Sequence, residues 1–368
     1  MSRLLSGTVA VLVVTMCVSS AKGQGDKVIS WKQCLNQQAA WYSSSEAIRI
    51  ADNLLLYQRN SGGWPKNTEM AAVLTDADKV ELTDQKQRTD STIDNGATYQ
   101  QLRYLAEVYA ATSEGRFRDA FLAGVDYLLG AQYENGGWPQ FYPNARGYSL
   151  HITFNDGAMI NAMRLLRDVS QGEEDFAFVD GARRTRAKLA VDKGIDCILK
   201  CQIVHEGKRL AWCAQHDEKT LAPAAARSYE LASLSGSEAV GVVEFLMTLE
   251  NPSPKIIAAV EDAVRWFDSA KITGIAQILK PAPGTEKGYD KTIVADPAAP
   301  PIWARFYQIG TSKPIFCSRD GIPRDNLADI SYERRNGYSW YTDAPADLLN
   351  KAYPAWAAKW TPGRNVLK

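Results

Sequence analysis

Histidine is scarce in this chain: three in 368 residues, at His151, His205 and His216. That leaves a histidine-based nucleophile triad or a zinc site poorly supplied. An excess of one charge is missing as well. The 42 Lys and Arg match the 42 Asp and Glu, so the overall field attracts neither nucleic acid nor an anionic membrane, and an anionic ligand would need local basic clusters. No apolar run is long enough for a membrane span. The one candidate, Val9 to Val18, follows Arg3 and precedes small residues at Ser19, Ser20, Ala21 and Gly23. That is the pattern of a secretory signal peptide over residues 1–23, so a secreted or periplasmic protein is expected. No linker or low-complexity block divides residues 24–368, which are expected to form one catalytic domain and to act as a monomer. Cys34, Cys197, Cys201, Cys213 and Cys317 lie beyond the signal. Their odd number leaves at least one thiol free, and Cys197 and Cys201 read as buried small apolar residues rather than as half of a zinc site.

What the chain does contain is a repeat. Asp94-Asn95-Gly96 opens a run whose Leu102, Leu105 and Tyr109 lie on one helical face. Asn155-Asp156-Gly157 opens a second with Met159, Met163 and Leu166, and Ser235-Gly236 a third with Val242, Phe245 and Leu249. The polar pair is inverted between the first two copies. Asp or Asn before a helix is a good cap, because its side chain accepts from unpaired backbone N–H groups. A second series runs in step: Gly62-Gly63-Trp64-Pro65, Gly136-Gly137-Trp138-Pro139 and Leu210-Ala211-Trp212-Cys213, with the three tryptophans evenly spaced. Each unit reads as helix, Gly/Trp loop, helix, and three such hairpins predict a closed helical toroid.

The spacing predicts helices over 31–57, 92–112, 116–132, 155–169, 183–203, 233–249 and 254–270, and a terminal helix over 344–360 interrupted near Pro354. Residues 66–90 read as a charged surface excursion and 280–301 as a long Pro/Gly-rich loop. Short extended pieces are expected near Tyr148–Thr153 and Pro314–Cys317. The fold class is all-α, with long loops and little β structure.

Three groups of residues could carry chemistry. Asp94, Asn95 and Asp156 offer hard oxygen ligands of the kind Ca²⁺ prefers; the plain alternative is that they only cap helices. Arg305, Arg319, Arg334 and Arg335 stand among aromatics that include Tyr338, and Arg227 lies in a comparable loop. Arginine beside aromatic rings suits bidentate recognition of carboxylates and stacking on sugars; pairing with nearby acids is the alternative. Lys66, Gln140 and Tyr142 follow the conserved-looking tryptophans but differ between copies, which makes them binding candidates, while the indoles themselves read as plugs.

The order GGWPKN (62–67), TIDNGAT (92–98), GGWPQFYP (136–143), FNDGAM (154–159), LAWCAQHD (210–217), RSYE (227–230), ARFY (304–307), FCSRDG (316–321) and YERRNGYSWY (332–341) resembles the family 10 polysaccharide lyases, which are pectate lyases. The resemblance runs through the mature chain. It implies an (α/α)3-type toroid that cleaves α-1,4-polygalacturonate (pectin) by Ca²⁺-assisted β-elimination, giving 4,5-unsaturated oligogalacturonides. By motif, Asp94, Asn95 and Asp156 take the metal positions, Arg319 the base, and Arg305 and Arg227 the uronate carboxylates. Ser318 departs from the glycine of the family pattern. An inverting glycoside hydrolase using Asp94 and Asp156, a terpene-cyclase-like toroid and a uronan-binding module are the competing readings; the export signal weighs against the cyclase.

Overall fold

The computed structural model describes residues 29–172 and 174–367; the signal segment falls outside them. Three helical hairpins follow one another: Ser45–Tyr57 (α1) with Tyr99–Thr112 (α2), Gly115–Ala131 (α3) with Ala158–Gln171 (α4), and Gly181–Cys201 (α5) with Glu238–Met247 (α6). α2, α4 and α6 pack side by side, α1, α3 and α5 form a second ring around them, and Pro254–Ala270 (α7) packs on α5 and α6. The result is the expected (α/α)3 toroid, its core running from Trp31 to the terminal helix at Trp356.

The Gly/Trp loops close each hairpin by the same device. Trp64, Trp138 and Trp212 are fully buried. Their indole N–H groups donate to Leu54 O at 2.8 Å, Leu128 O at 2.8 Å and Ile198 O at 2.7 Å, carbonyls near the ends of α1, α3 and α5. A glutamine just past each of these helices repeats with the tryptophans. Gln58, Gln132 and Gln202 each donate to the loop (Gly62 O, Gly136 O, Leu210 O) and to the next outer helix (Ala120 O, Ala190 O, Ala259 O). Gly62 and Gly136 sit at φ +94° and +95°, where a Cβ would meet Ala123 O at 2.3 Å and Lys193 O at 2.1 Å. Only glycine fits there. Trp138→Ala is expected to cost about 3–5 kcal/mol of stability, read as a lowered urea midpoint, because it opens a cavity and orphans a carbonyl. A loss under ~1 kcal/mol would mean that the plug does not hold the hairpin.

Several boundaries differ from expectation, each for a local reason. α2 begins at Tyr99 and α4 at Ala158, because Asn95 (φ 50°, ψ 36°) and Asp156 (φ 50°, ψ 24°) adopt left-handed conformations that no helix continues through. Residues 31–57 are two short turns and α1 rather than one helix, and the charged 66–90 excursion contains a helix at Asp76–Asp84. The 280–301 stretch is not one long loop but carries most of a β-hairpin. Ile275–Pro281 and Tyr289–Ala295 pair antiparallel from Ile275↔Ala295 to Pro281↔Tyr289. Pro283, Gly284 and Gly288 sit at the tip and Pro297, Pro300 and Pro301 follow the second strand, while Thr292, Ile293 and Val294 supply β-branched strand. The terminal helix continues through Pro354, since the π turn Leu348–Ala352 just before it rearranges the carbonyls that the ring would otherwise meet. All five described cysteines are free and buried.

Two-residue strands Ile152–Thr153 and Gln215–His216 pair antiparallel and lead into the Asn155–Asp156 turn. His216, on the second of these strands, is fully buried. Its Nε2 accepts from Cys213 N at 3.1 Å and its Nδ1–H donates to Leu221 O at 2.9 Å, which fixes the neutral ring. Burial pushes its pKa down to about 4. The unfolded chain takes up that proton near pH 6.5 and the folded one does not until about pH 4. Stability is therefore expected to fall by about 3 kcal/mol across that window as pH is lowered. Urea midpoints measured from pH 7 to pH 4 would show that slope for the native chain and a shallower one for His216→Gln; equal slopes would place the acid sensitivity elsewhere.

Candidate active site

The starts of the three inner helices meet at one rim, and the turns at Asp94–Gly96 and Asn155–Gly157 pack against each other. In each turn the first polar residue is buried and the second takes the left-handed conformation. Asn and Asp both tolerate that conformation, which is why the polar pair can be inverted between copies. Neither turn acts as a side-chain cap.

Asp94 is buried, and its Oδ2 accepts from the Lys66 ammonium. Its Oδ1 is buried with no hydrogen-bond partner. Asn95 donates to Asn67 Oδ1 at 2.9 Å. Partial burial, with Asp94 and Glu238 close by, pushes the Asp156 carboxyl above its ordinary pKa against the opposing pull of Arg305. Arg305 joins the turns to the third hairpin: its Nη2 donates to the Glu238 carboxylate, lies 3.3 Å from Asn155 Oδ1 and 3.7 Å from Asp156 Oδ1. Its Nε is buried without a partner.

From Arg305 the site continues into a shell of arginines around two tyrosines. The Tyr338 ring lies under Arg305 at 4.7 Å and Arg227 at 5.7 Å, and its hydroxyl donates to Glu230 Oε1 at 2.6 Å. The Tyr229 ring carries Arg227 at 5.0 Å, Arg334 at 4.5 Å and Arg319 at 5.7 Å. Each outer guanidinium is paired: Arg227 with Glu230, and Arg319 and Arg334 with Glu333. Those carboxylates hold the Arg227 and Arg319 guanidinium groups above the ordinary arginine range. Arg319 is the more open of the two, its side chain 64% exposed against 44% for Arg227.

Among the residues singled out in the sequence, the structure brings Asp94, Asn95, Asp156, Lys66, Arg305, Arg227, Arg319 and Tyr338 to this rim. Three others are placed differently. Gln140 contributes its backbone: its carbonyl accepts from Thr92 Oγ1 at 2.5 Å and Ile93 N at 3.2 Å, bracing the Asp94 turn. Tyr142 packs edge-on against Tyr127, with no bond to either carboxylate turn among the described residues. Arg335 grips Asp290 at 2.6 and 2.7 Å and Ile330 O at 2.6 Å, fastening the β-hairpin. An i+1 neighbour on a short helix points elsewhere, so Arg334 rather than Arg335 joins the cluster. Glu238, Glu230 and Tyr229 were not singled out. Glu238 had a signal, since it is the one charged residue in the first turn of its inner helix.

Residues 58–349 match the family profile described as pectic acid lyase. The chain belongs to the pectic acid lyases, family 10 of the polysaccharide lyases. The solved family 10 polysaccharide lyase from Cellvibrio cellulosa is 35% identical with a TM-score of 0.74, covering 89% of this chain and 95% of its own. A mutant of that Cellvibrio cellulosa lyase in complex with trigalacturonic acid is also 35% identical with a TM-score of 0.74, covering 88% and 96%. Comparison with curated protein sequences gives no match. No helix of the described residues is long and apolar enough to cross a membrane.

Proposed function

We propose that this polysaccharide lyase is an exported, monomeric pectate lyase that cleaves polygalacturonate by Ca²⁺-assisted β-elimination. The observation that carries this reading is the orphaned, buried Asp94 Oδ1 beside the crowded Asp156 carboxylate, next to arginines spread over an aromatic shelf. A buried carboxylate oxygen without a partner costs about 1–3 kcal/mol, which a cation would relieve. Asp94, Asn95 and Asp156 present only hard oxygen donors, so these residues fit Ca²⁺, with substrate and water completing the shell. Bound there, Ca²⁺ supplies Lewis-acid stabilisation of the charge that develops on the uronate carboxylate. The described residues also bring His151, Asp217 and Glu218 together within 4.8 Å. Those three lie outside the two turns, and His151 Nδ1 is engaged by Glu218 at 3.2 Å.

The chain's own residues have three tasks. Arg305, held by Glu238 and stacked on Tyr338, offers a fixed guanidinium to a uronate carboxylate. Lys66, bonded to its Oδ2, holds Asp94 in place. An arginine takes the C5 proton; that C–H electron pair becomes the C4–C5 double bond, the C4–O bond breaks, and the leaving oxygen collects a proton. The resemblance gives the base to Arg319. A second reading is favoured by the geometry: Arg227 shares the Tyr338 ring with Arg305, whereas Arg319 reaches only Tyr229 and is more exposed. In this reading Arg227 is the base and Arg319 binds a carboxylate. Either guanidinium must give up its carboxylate partner and its proton, so activity rises with pH into the alkaline range. Initial rates measured from pH 7 upward test this; a maximum in the acid range would remove arginine from the base role.

A further inference from the structure

Beside the Asp94–Gly96 turn lies a concavity of about 360 Å³, lined by none of the shell arginines. It is within the ~300–1,000 Å³ range of small-ligand sites. The arginines reach the rim through Asn155 and Asp156; this pocket reaches it through Asn95 and Lys66, which line both.

The pocket wall is suited to an anionic sugar. Lys32 stands on it with no partner among the described residues. Asn67 and Gln100 supply amides. Glu69 is the single carboxylate on the wall, and its Oε1 is occupied by Trp31 N at 2.6 Å and Ala71 N at 3.1 Å. Independently of these, Gln101 lines the pocket, is only 3% exposed, and has an Oε1 with no hydrogen-bond partner. A buried acceptor without a donor is uncommon. A sugar hydroxyl, directly or through one water, supplies that donor.

We infer that this pocket is a distal uronate subsite, in which Lys32 meets the carboxylate of a sugar and Gln101 a hydroxyl, so that the enzyme rewards longer chains. The inference rests on the polygalacturonate reading above and adds Lys32 as a specificity residue remote from the bond that breaks. The test is kinetics on galacturonate oligomers of three to seven units with the native enzyme, Lys32→Glu and Gln100→Ala, each checked for an unchanged melting temperature. In the native enzyme kcat/KM is expected to climb with chain length. Lys32→Glu is expected to lower kcat/KM on the longest oligomers by about tenfold through KM, since one charged contact is lost, and to leave the shortest productive oligomer within about twofold. Gln100→Ala is expected to act in the same direction, less strongly. Equal loss at every length, or no loss at any, overturns the subsite. If the native enzyme releases no unsaturated product from any oligomer, it is the lyase reading that fails, which keeps the two outcomes apart.

Discussion

Arg319→Ala and Arg227→Ala are expected to fail on polygalacturonate in different ways. The arginine that takes the C5 proton loses roughly 10²–10⁴-fold in kcat with little change in KM, the usual contribution of a positioned proton acceptor. The arginine that only holds a carboxylate raises KM, by about 10-fold for one charge-assisted contact, and retains most of kcat. Initial rates of unsaturated product formation over a range of substrate concentrations separate the two. Lysine replacements sharpen the distinction, because lysine keeps the charge but not the planar fork. A large kcat loss at Arg319 supports its motif position; at Arg227, it supports the geometry of the Tyr338 shelf. If both variants change only KM, proton abstraction falls to neither, and the arginine mechanism is wrong.

The second large effect concerns Asp94 and Asp156. Asp156→Ala is expected to abolish measurable turnover at low Ca²⁺, a loss on the order of 10³-fold, since it removes a ligand at the point where charge develops. Asp94→Asn carries a readout independent of activity. If the orphaned Oδ1 is a cation ligand, Ca²⁺ should raise the melting temperature of the native protein, with about 2.7 kcal/mol gained at one hundred times Kd. Asp94→Asn should lose most of that gain. Calcium stabilisation that survives in Asp94→Asn but disappears in Glu218→Gln would move the ion to the His151 cluster instead.

The toroid was legible because its signals repeat. The Gly/Trp loops and apolar stripes recur three times, and each copy does the same physical work, plugging a hairpin or packing an inner helix. The carboxylate turns were visible as DNG and NDG, but their conformation was not. The same residues suit a helix cap or a left-handed turn, and only packing of the two turns against each other selects the latter. The place of Arg335 was hidden for a related reason. Side by side in sequence, Arg334 and Arg335 cannot both face Tyr229, and which one does depends on the β-hairpin and its Asp290, an element that the Pro/Gly content disguised. Glu238 escaped because a single acid in an apolar helix start ordinarily reads as favourable to the helix dipole. Its role emerges only when Arg305, distant in sequence, reaches it.

One measurement bears on lyase chemistry and calcium together: the ultraviolet absorbance of polygalacturonate incubated with the purified protein, once with added Ca²⁺ and once with a chelator. β-elimination creates a C4–C5 double bond conjugated to the carboxylate, so absorbance should rise with Ca²⁺ and stay flat with chelator. Chain shortening without any new absorbance would contradict elimination and point to hydrolysis, with Asp94 and Asp156 as the acid–base pair.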